Sequence, residues 1–410
     1  MSQEIPGTAL LDREILDNPY PLYRQLQKQA PVWQVPGTEV FAVTSFALLE
    51  EAARRVGDFS SNMRTLLYRD EQGLPARLPL GDAGAQALAT ADPPVHAAHK
   101  RAVFPEFVAK RMTLLEPEIV AIATGCVERA VDERNVDFMA VVGNLVPITV
   151  IGRLIGFRNS DPSSLLQAAF DSTALVGATL TQQQLFECIG RSVEIQAWIT
   201  DQLAQVAAEP AEDILTSIKR GVASGVLSTP EGAAILHILL AAGGESTTSL
   251  LGNAVRIVAE NTNLQQQLRQ QPDRIPAFLE EVLRLESPFR SMLRSVPKDT
   301  TLGGVDIQAG ATVLMFWSAG NRDPAAFENP DEMILDRPMR HMTFGRGIHF
   351  CVGAPLARLE GRVVLTALLE RTSSITLDPD QPPEWVQSLQ VRRYKHLPLK
   401  LVPRQVNYSS

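Results

Sequence analysis

Apolar residues recur at intervals of three and four along most of this chain, the spacing that lines one face of an α-helix. Ile195, Trp198, Ile199 and Leu203 make one such core stripe. Ser45 is placed to cap a helix whose apolar positions are Phe46, Leu48, Leu49 and Ala52. Pro19–Gln29 predicts a short helix, and a long one runs from about Pro230 to Glu260. Alternation appears in fewer places. Val32–Val35 and Glu39–Val43 flank Pro36-Gly37 as a hairpin would, and strand patterns recur at Thr301–Ile307, at Thr312–Trp317 and near the C-terminus. Ser60 to Asp92 has weak periodicity and much Gly, Pro, Asp and Ala; a connection that long inside a compact domain is often functional. The pattern predicts a mainly α protein with a smaller β region. Without an internal repeat or a clear linker, residues 1–410 read as one domain.

Composition adds limits. Hydrophobic residues make up 45% and charged residues 20%, ordinary for a globular protein with a large core. A net charge of -8 argues against a general nucleic-acid binder, which needs a basic face. Cys126, Cys188 and Cys351 are too few and too scattered for a disulfide framework, and free thiols suit a reducing cytoplasm. Met1 to Leu16 lacks the apolar run of a signal peptide. Of the most apolar stretches, Val141–Phe157 contains Asn144, Pro147 and Arg153, and Ala233–Ala242 is short for a bilayer. The expectation is a soluble, cytoplasmic protein without a membrane anchor.

The strongest chemical signal lies at Phe344-Gly345-Arg346-Gly347-Ile348-His349-Phe350-Cys351-Val352-Gly353. Its glycines permit tight turns and close approach of backbone to a flat ligand. A helix pattern follows, with Pro355 near its first turn and then Leu356, Leu359, Val363, Val364 and Ala367. Cys351 therefore precedes a helix N-terminus, whose dipole favours a thiolate. For a cysteine taken alone, a buried and inert thiol is the default reading. The fixed spacing of Phe344, Gly347, His349, Cys351 and Gly353 resembles the haem-binding signature of the cytochrome P450 family, and the likeness continues over nearly the whole chain.

That resemblance implies a triangular helical prism around a buried haem b, with Cys351 as the iron's thiolate ligand and Phe344, Gly345 and Gly353 shaping its loop. Glu281 and Arg284 share a helix face and, with Arg337, resemble the family's bracing cluster. Ala242-Gly243-Gly244-Glu245-Ser246-Thr247 interrupts the long helix with two glycines, each costing roughly 1 kcal/mol against alanine. A small-residue helix crossing would account for them, but the resemblance points to the oxygen-activation groove. There Glu245 and Ser246 would relay protons, serine standing where threonine is usual. Thr247 should point about 100° away around the helix. Asp92-Pro93-Pro94-Val95-His96 begins the segment that would bring His96 and Lys100 to the haem propionates, with Arg294 and His349 as further partners. Asn321-Arg322-Asp323-Pro324 fits the family's pattern without adding chemistry.

The implied activity is a monooxygenase that inserts one atom of O2 into an apolar or amphipathic small molecule. The electrons would come from a separate ferredoxin and its reductase. Lys100, Arg101, Lys110, Arg111, Arg346, Arg358 and Arg362 would form a basic patch on the cysteine side that steers an acidic ferredoxin. Leu240, Ala241, Phe289 and Met292 suggest an apolar pocket. Arg290 either meets a substrate carboxylate or pairs with Glu286. A peroxide-driven peroxygenase and a non-catalytic haem or ligand-binding protein are the alternatives.

Overall fold

The computed structural model describes residues 5–81, 86–206, 213–338 and 340–405. The first four residues of the N-terminal segment considered above, and residues 82–85 of the long connection, lie outside them.

Helix dominates, as the three-four spacing predicts, and a long central helix, Thr229–Glu260, organises the rest. Its start is fixed by a capping box. The Ser228 hydroxyl accepts from the Glu231 N–H, and Glu231 Oε2 accepts from the Ser228 N–H at 2.8 Å. Helices Leu145–Ile155, Pro162–Ala174, Gln182–Gln205 and Ala354–Arg371 pack around it. By length and composition this helix could cross a membrane, although its most apolar ten residues could not. Most of it is buried within the protein, as a core helix is.

The glycine pair in this helix is explained by packing. A Cβ on Gly243 would lie 2.7 Å from the Ile151 side chain, and one on Gly244 would lie 3.1 Å from Ala169 and Ile148. Both glycines admit neighbouring helices, which is the small-residue crossing.

The β part is small and is tied to the site. One sheet runs in the order Val32–Gln34, Val40–Val43, Thr312–Met315, Met292–Ser295. The first pair is the expected hairpin, turning through Gly37 at φ 79°. A second sheet joins Thr372–Leu377, Pro398–Pro403 and Asn135–Asp137. Two expectations change. Thr301–Ile307 is a hairpin, Thr300–Leu302 with Val305–Ile307, because Gly303 and Gly304 turn at positive φ. The next strand ends at Met315, and Trp317–Gly320 is a short helix. Within the long connection, Thr65–Arg69 pairs with Pro75–Pro79. Its residues Leu66 and Leu67 are consecutive and both buried, so no alternation announced the strand.

Candidate functional site: a cavity against the cysteine loop

Cys351 lies three residues before helix Ala354–Arg371, with Gly353 at the N-cap and Pro355 in the first turn. The loop is shaped by Gly345 and Gly347, at φ 72° and 67°, where a Cβ would be strained. The Cys351 N–H donates to the Phe344 carbonyl at 2.9 Å, closing the loop on itself. Cys351 is exposed only in the sense that it lines an internal cavity. Burial pushes its thiol up, while the backbone N–H groups of Gly353 and Ala354, then Arg358 and Lys100, favour the thiolate.

His96, Lys100, Arg294 and His349 all reach this cavity, from helix Val95–Val103, from strand Met292–Ser295 and from the cysteine loop. The His96 and His349 rings lie 4.4 Å apart. Lys100 Nζ donates to the Ile348 carbonyl at 2.8 Å, and Arg294 Nη1 to its neighbour Leu293 at 2.8 Å. Neither ring nitrogen of His349 has a partner. Burial and then the charges of Arg294, His96 and Lys100 push His349 down to about 3. Burial likewise lowers Arg294 to about 10. Among the described residues that line the cavity there is no carboxylate. Four basic groups at one cavity, one of them an imidazole with both ring nitrogens orphaned, are costly unless an anion joins them. A flat dicarboxylate such as haem fits this set of donors, with the thiol of Cys351 at the same cavity.

On the central helix the cavity-facing residues are Ile238, Leu239, Ala242, Gly243, Ser246, Thr247 and Leu250. That is one helical face, and both Ser246 and Thr247 belong to it. Leu240 and Ala241 do not, because their positions turn away; Leu240 is buried in the helical core instead. The Ser246 hydroxyl donates to the Ala242 carbonyl at 2.7 Å, one turn back. Glu245 is fully buried and lies outside the cavity lining. Its Oε1 accepts from Arg393 Nε at 2.7 Å and its Oε2 from the Thr173 hydroxyl at 3.0 Å.

Phe289 and Met292 line the cavity, as do Leu88 and Ala89 from the long connection. Arg290 is turned away. Its Nη1 donates to the Leu16 carbonyl at 2.6 Å and its Nε to Val391 at 3.1 Å, so it pairs with neither Glu286 nor a cavity ligand. Glu286 is taken by Arg392 at 2.9 Å, with Arg256 and Arg322 beside it.

Behind the loop, Glu281 takes Arg284 through two bonds, at 2.7 and 2.9 Å, and Arg337 at 3.4 Å. Arg284 is buried and also caps the carbonyls of Asn321, Pro330 and Glu332. Asn321 does more than mark a pattern. Its amide donates to Ser287 and Thr343, each at 2.9 Å, and accepts from the Met342 N–H at 2.6 Å. It thus pins the chain just ahead of Phe344. Of the basic residues on this side, Arg358 is held by Glu280 at 2.6 and 3.0 Å, Arg362 by Glu116 at 2.7 Å, and Arg111 by Glu106 at 3.3 Å. Arg101 and Lys110 are exposed. The net basic excess is smaller than the residue list suggests.

Comparison with known proteins agrees with this geometry. Residues 213–396 match the family model described as Cytochrome P450. Cytochrome P450 144 of Mycobacterium tuberculosis is 37% identical over 390 residues, covering 94% of this chain and 89% of that protein. The 6-deoxyerythronolide B hydroxylase of Saccharopolyspora erythraea is 30% identical, over 93% of this chain and 96% of its own length. The crystal structure of CYP109E1 from Bacillus megaterium, in complex with testosterone, superposes with a TM-score of 0.84 at 27% identity, covering 95% and 99% of the two chains. Likeness of that extent, on a chain whose cysteine loop is built in this way, places the protein in the cytochrome P450 family, as a P450 monooxygenase.

Proposed function

We propose that the protein binds haem b through Cys351 and inserts one atom of O2 into a neutral, apolar or amphipathic small molecule in the cytoplasm, with electrons from a separate ferredoxin and its reductase. The observation that carries this reading is the convergence of His96, Lys100, Arg294 and His349, without a counter-ion in the wall, on a cavity that also holds Cys351. Those four side chains would hold the two propionates by charge-assisted hydrogen bonds. The chemistry supplied by a thiolate-ligated haem is cleavage of the O–O bond, which the thiolate's electron density favours. The chain's own part is to keep Cys351 ionised, to exclude water and to deliver protons. Leu88, Leu239, Phe289 and Met292 form an apolar wall. Ser246 can hold a proton at Oγ once it leaves the Ala242 carbonyl. Glu245 can resupply it only by breaking from Arg393 and Thr173, so proton delivery requires a side-chain rotation.

A second reading, turnover driven by hydrogen peroxide, gains support from that same constraint, since peroxide brings both protons with it and they need only be moved, not supplied through Glu245. Ferredoxin-driven turnover well above peroxide-driven turnover selects the first reading. The primary test is spectral. The reduced carbon monoxide adduct should show the thiolate-type band, and its absence in folded protein contradicts ligation by Cys351. Neutral apolar ligands, steroids included, should then shift the ferric spectrum more readily than fatty or aromatic acids. Arg290→Leu should leave that ranking unchanged.

A further inference from the structure

Leu88 and Ala89 close part of the cavity wall, yet Leu88 sits at φ 41°, in the left-handed region that a residue with a Cβ rarely occupies. Such a conformation persists only when its surroundings over-determine it. The far end of this turn is tied down by Asp92, whose carboxylate accepts from the Ser60 hydroxyl and, at 3.0 Å, from the Ser61 N–H. At the near end the Thr90 hydroxyl closes the turn on itself, accepting from the Ala87 N–H at 3.2 Å and donating to the Ala87 carbonyl at 3.0 Å, and a buried side chain from the next helix ties the turn to the rest of the protein. The Leu88 N–H donates to His99 Nδ1 at 3.2 Å. His99 is 1% exposed and does not line the cavity. Its other nitrogen, Nε2, faces Glu231 Oε1 at 3.5 Å, in the first turn of the central helix.

The hydrogen-bond roles follow from chemistry. A backbone N–H can only donate, so Nδ1 must be bare and Nε2 must carry the ring proton, which then points at a carboxylate. Glu231 cannot drift, because the Ser228 capping box holds it. A continuous link therefore runs from the start of the central helix, through a buried imidazole, to the backbone of the cavity wall.

We infer that His99 is a positioning residue for substrate selection: it fixes the Leu88 turn, and through it the size of molecule the cavity admits. This rests on the reading of the cavity as the substrate chamber.

Three variants of the haem-loaded protein separate this role from general packing. In His99→Asn, the amide oxygen takes the place of Nδ1 and can still accept from Leu88. In His99→Gln, the amide lies near Nε2 and reaches Glu231 but not Leu88. In His99→Phe, both links are lost. The probes are imidazole, 4-phenylimidazole and clotrimazole, titrated by their ferric spectral shift. Loss of one hydrogen bond should change the ratio of small-ligand to large-ligand Kd by about fivefold in the Gln and Phe variants. The Asn variant should keep the wild-type ratio. Hydrogen–deuterium exchange at Leu88 to Thr90 should rise in Gln and Phe and stay low in Asn. The inference fails if Gln and Phe retain the wild-type ratio and exchange, or if Asn behaves like them. Should the Phe variant not fold, the Asn and Gln pair, equal in polarity, decides alone. The exchange readout needs no haem chemistry, and a missing thiolate band in the wild type would count against the proposed function and not against the His99 link.

Discussion

Glu280 shows how one buried carboxylate can anchor the residues beside the cysteine loop. It is 7% exposed, and burial alone would raise its pKa. Hydrogen bonds from His341 at 2.8 Å and from Arg358 overcome that and hold it at about 2. Arg358 in turn lies 4.5 Å over the Phe344 ring, beside the loop that carries Cys351. Between pH 4.5 and 2 the unfolded chain takes up a proton here that the folded one refuses. The group's contribution is therefore complete above pH 4.5 and is lost as pH falls toward 2. Glu280→Gln should cost on the order of 3 kcal/mol at pH 7 and should flatten the acid limb of stability. Urea denaturation at pH 7 and pH 3 measures both; equal pH slopes in variant and wild type would refute it. Cys351 and the Glu281–Arg284 pair are legible in sequence because their neighbours lie at fixed short spacing. His99 and Arg393 are not, because Glu231 and Glu245 lie far along the chain and only folding brings them close.

Among elements, the bracing cluster is the point where several meet. Helix Ile275–Leu285 supplies Glu281 and Arg284, while Arg337 and the carbonyls of Asn321, Pro330 and Glu332 come from the irregular chain ahead of the cysteine loop. Irregular backbone has no ladder of its own to satisfy it, so the guanidinium of Arg284 does so. Arg284→Leu leaves Glu281 buried with only the Ile334 N–H at 3.0 Å and Arg337 at 3.4 Å, and should destabilise the fold by roughly 3–5 kcal/mol. Purified variant should hold less haem per chain than wild type; full haem content with unchanged unfolding would contradict the bracing role. Periodicity locates the helices well because one face of each is buried. It fails where both neighbours are buried, as at Leu66 and Leu67, and where a glycine pair serves packing, as at Gly243 and Gly244. The face of the central helix that meets the cavity could have been counted back from Ser246 in steps of three and four. Such counting includes Leu239 and Ala242 and excludes Leu240 and Ala241.

For the whole molecule, charge is arranged locally despite the net -8. Most arginines on the cysteine side already have acidic partners, so reversing Arg358 would break Glu280 as well as alter the surface. Arg101 and Lys110 are the cleaner probes of partner docking. The double variant Arg101→Glu and Lys110→Glu should weaken ferredoxin-driven reduction by about tenfold at low salt, and less at high salt. Its peroxide-driven turnover should not change. Salt-independent reduction rates in both proteins would remove the docking role.

The ion pair between Glu245 and Arg393 also has a meaning in time. Arg393 is made 148 residues after the acid it holds, and Arg290 and Arg392 reach back to the carbonyls of Leu16 and Asp17. At ordinary rates of synthesis that interval of 148 residues takes roughly 7–30 s. Until Arg392 and Arg393 leave the ribosome, the Asp17 carbonyl lacks its guanidinium donor and Glu245 lacks the cation that pairs with it, although Thr173 is already made. Assembly of the reaction centre therefore waits on Arg393, and a nascent chain stalled before it should be bound by chaperones and unable to retain its prosthetic group.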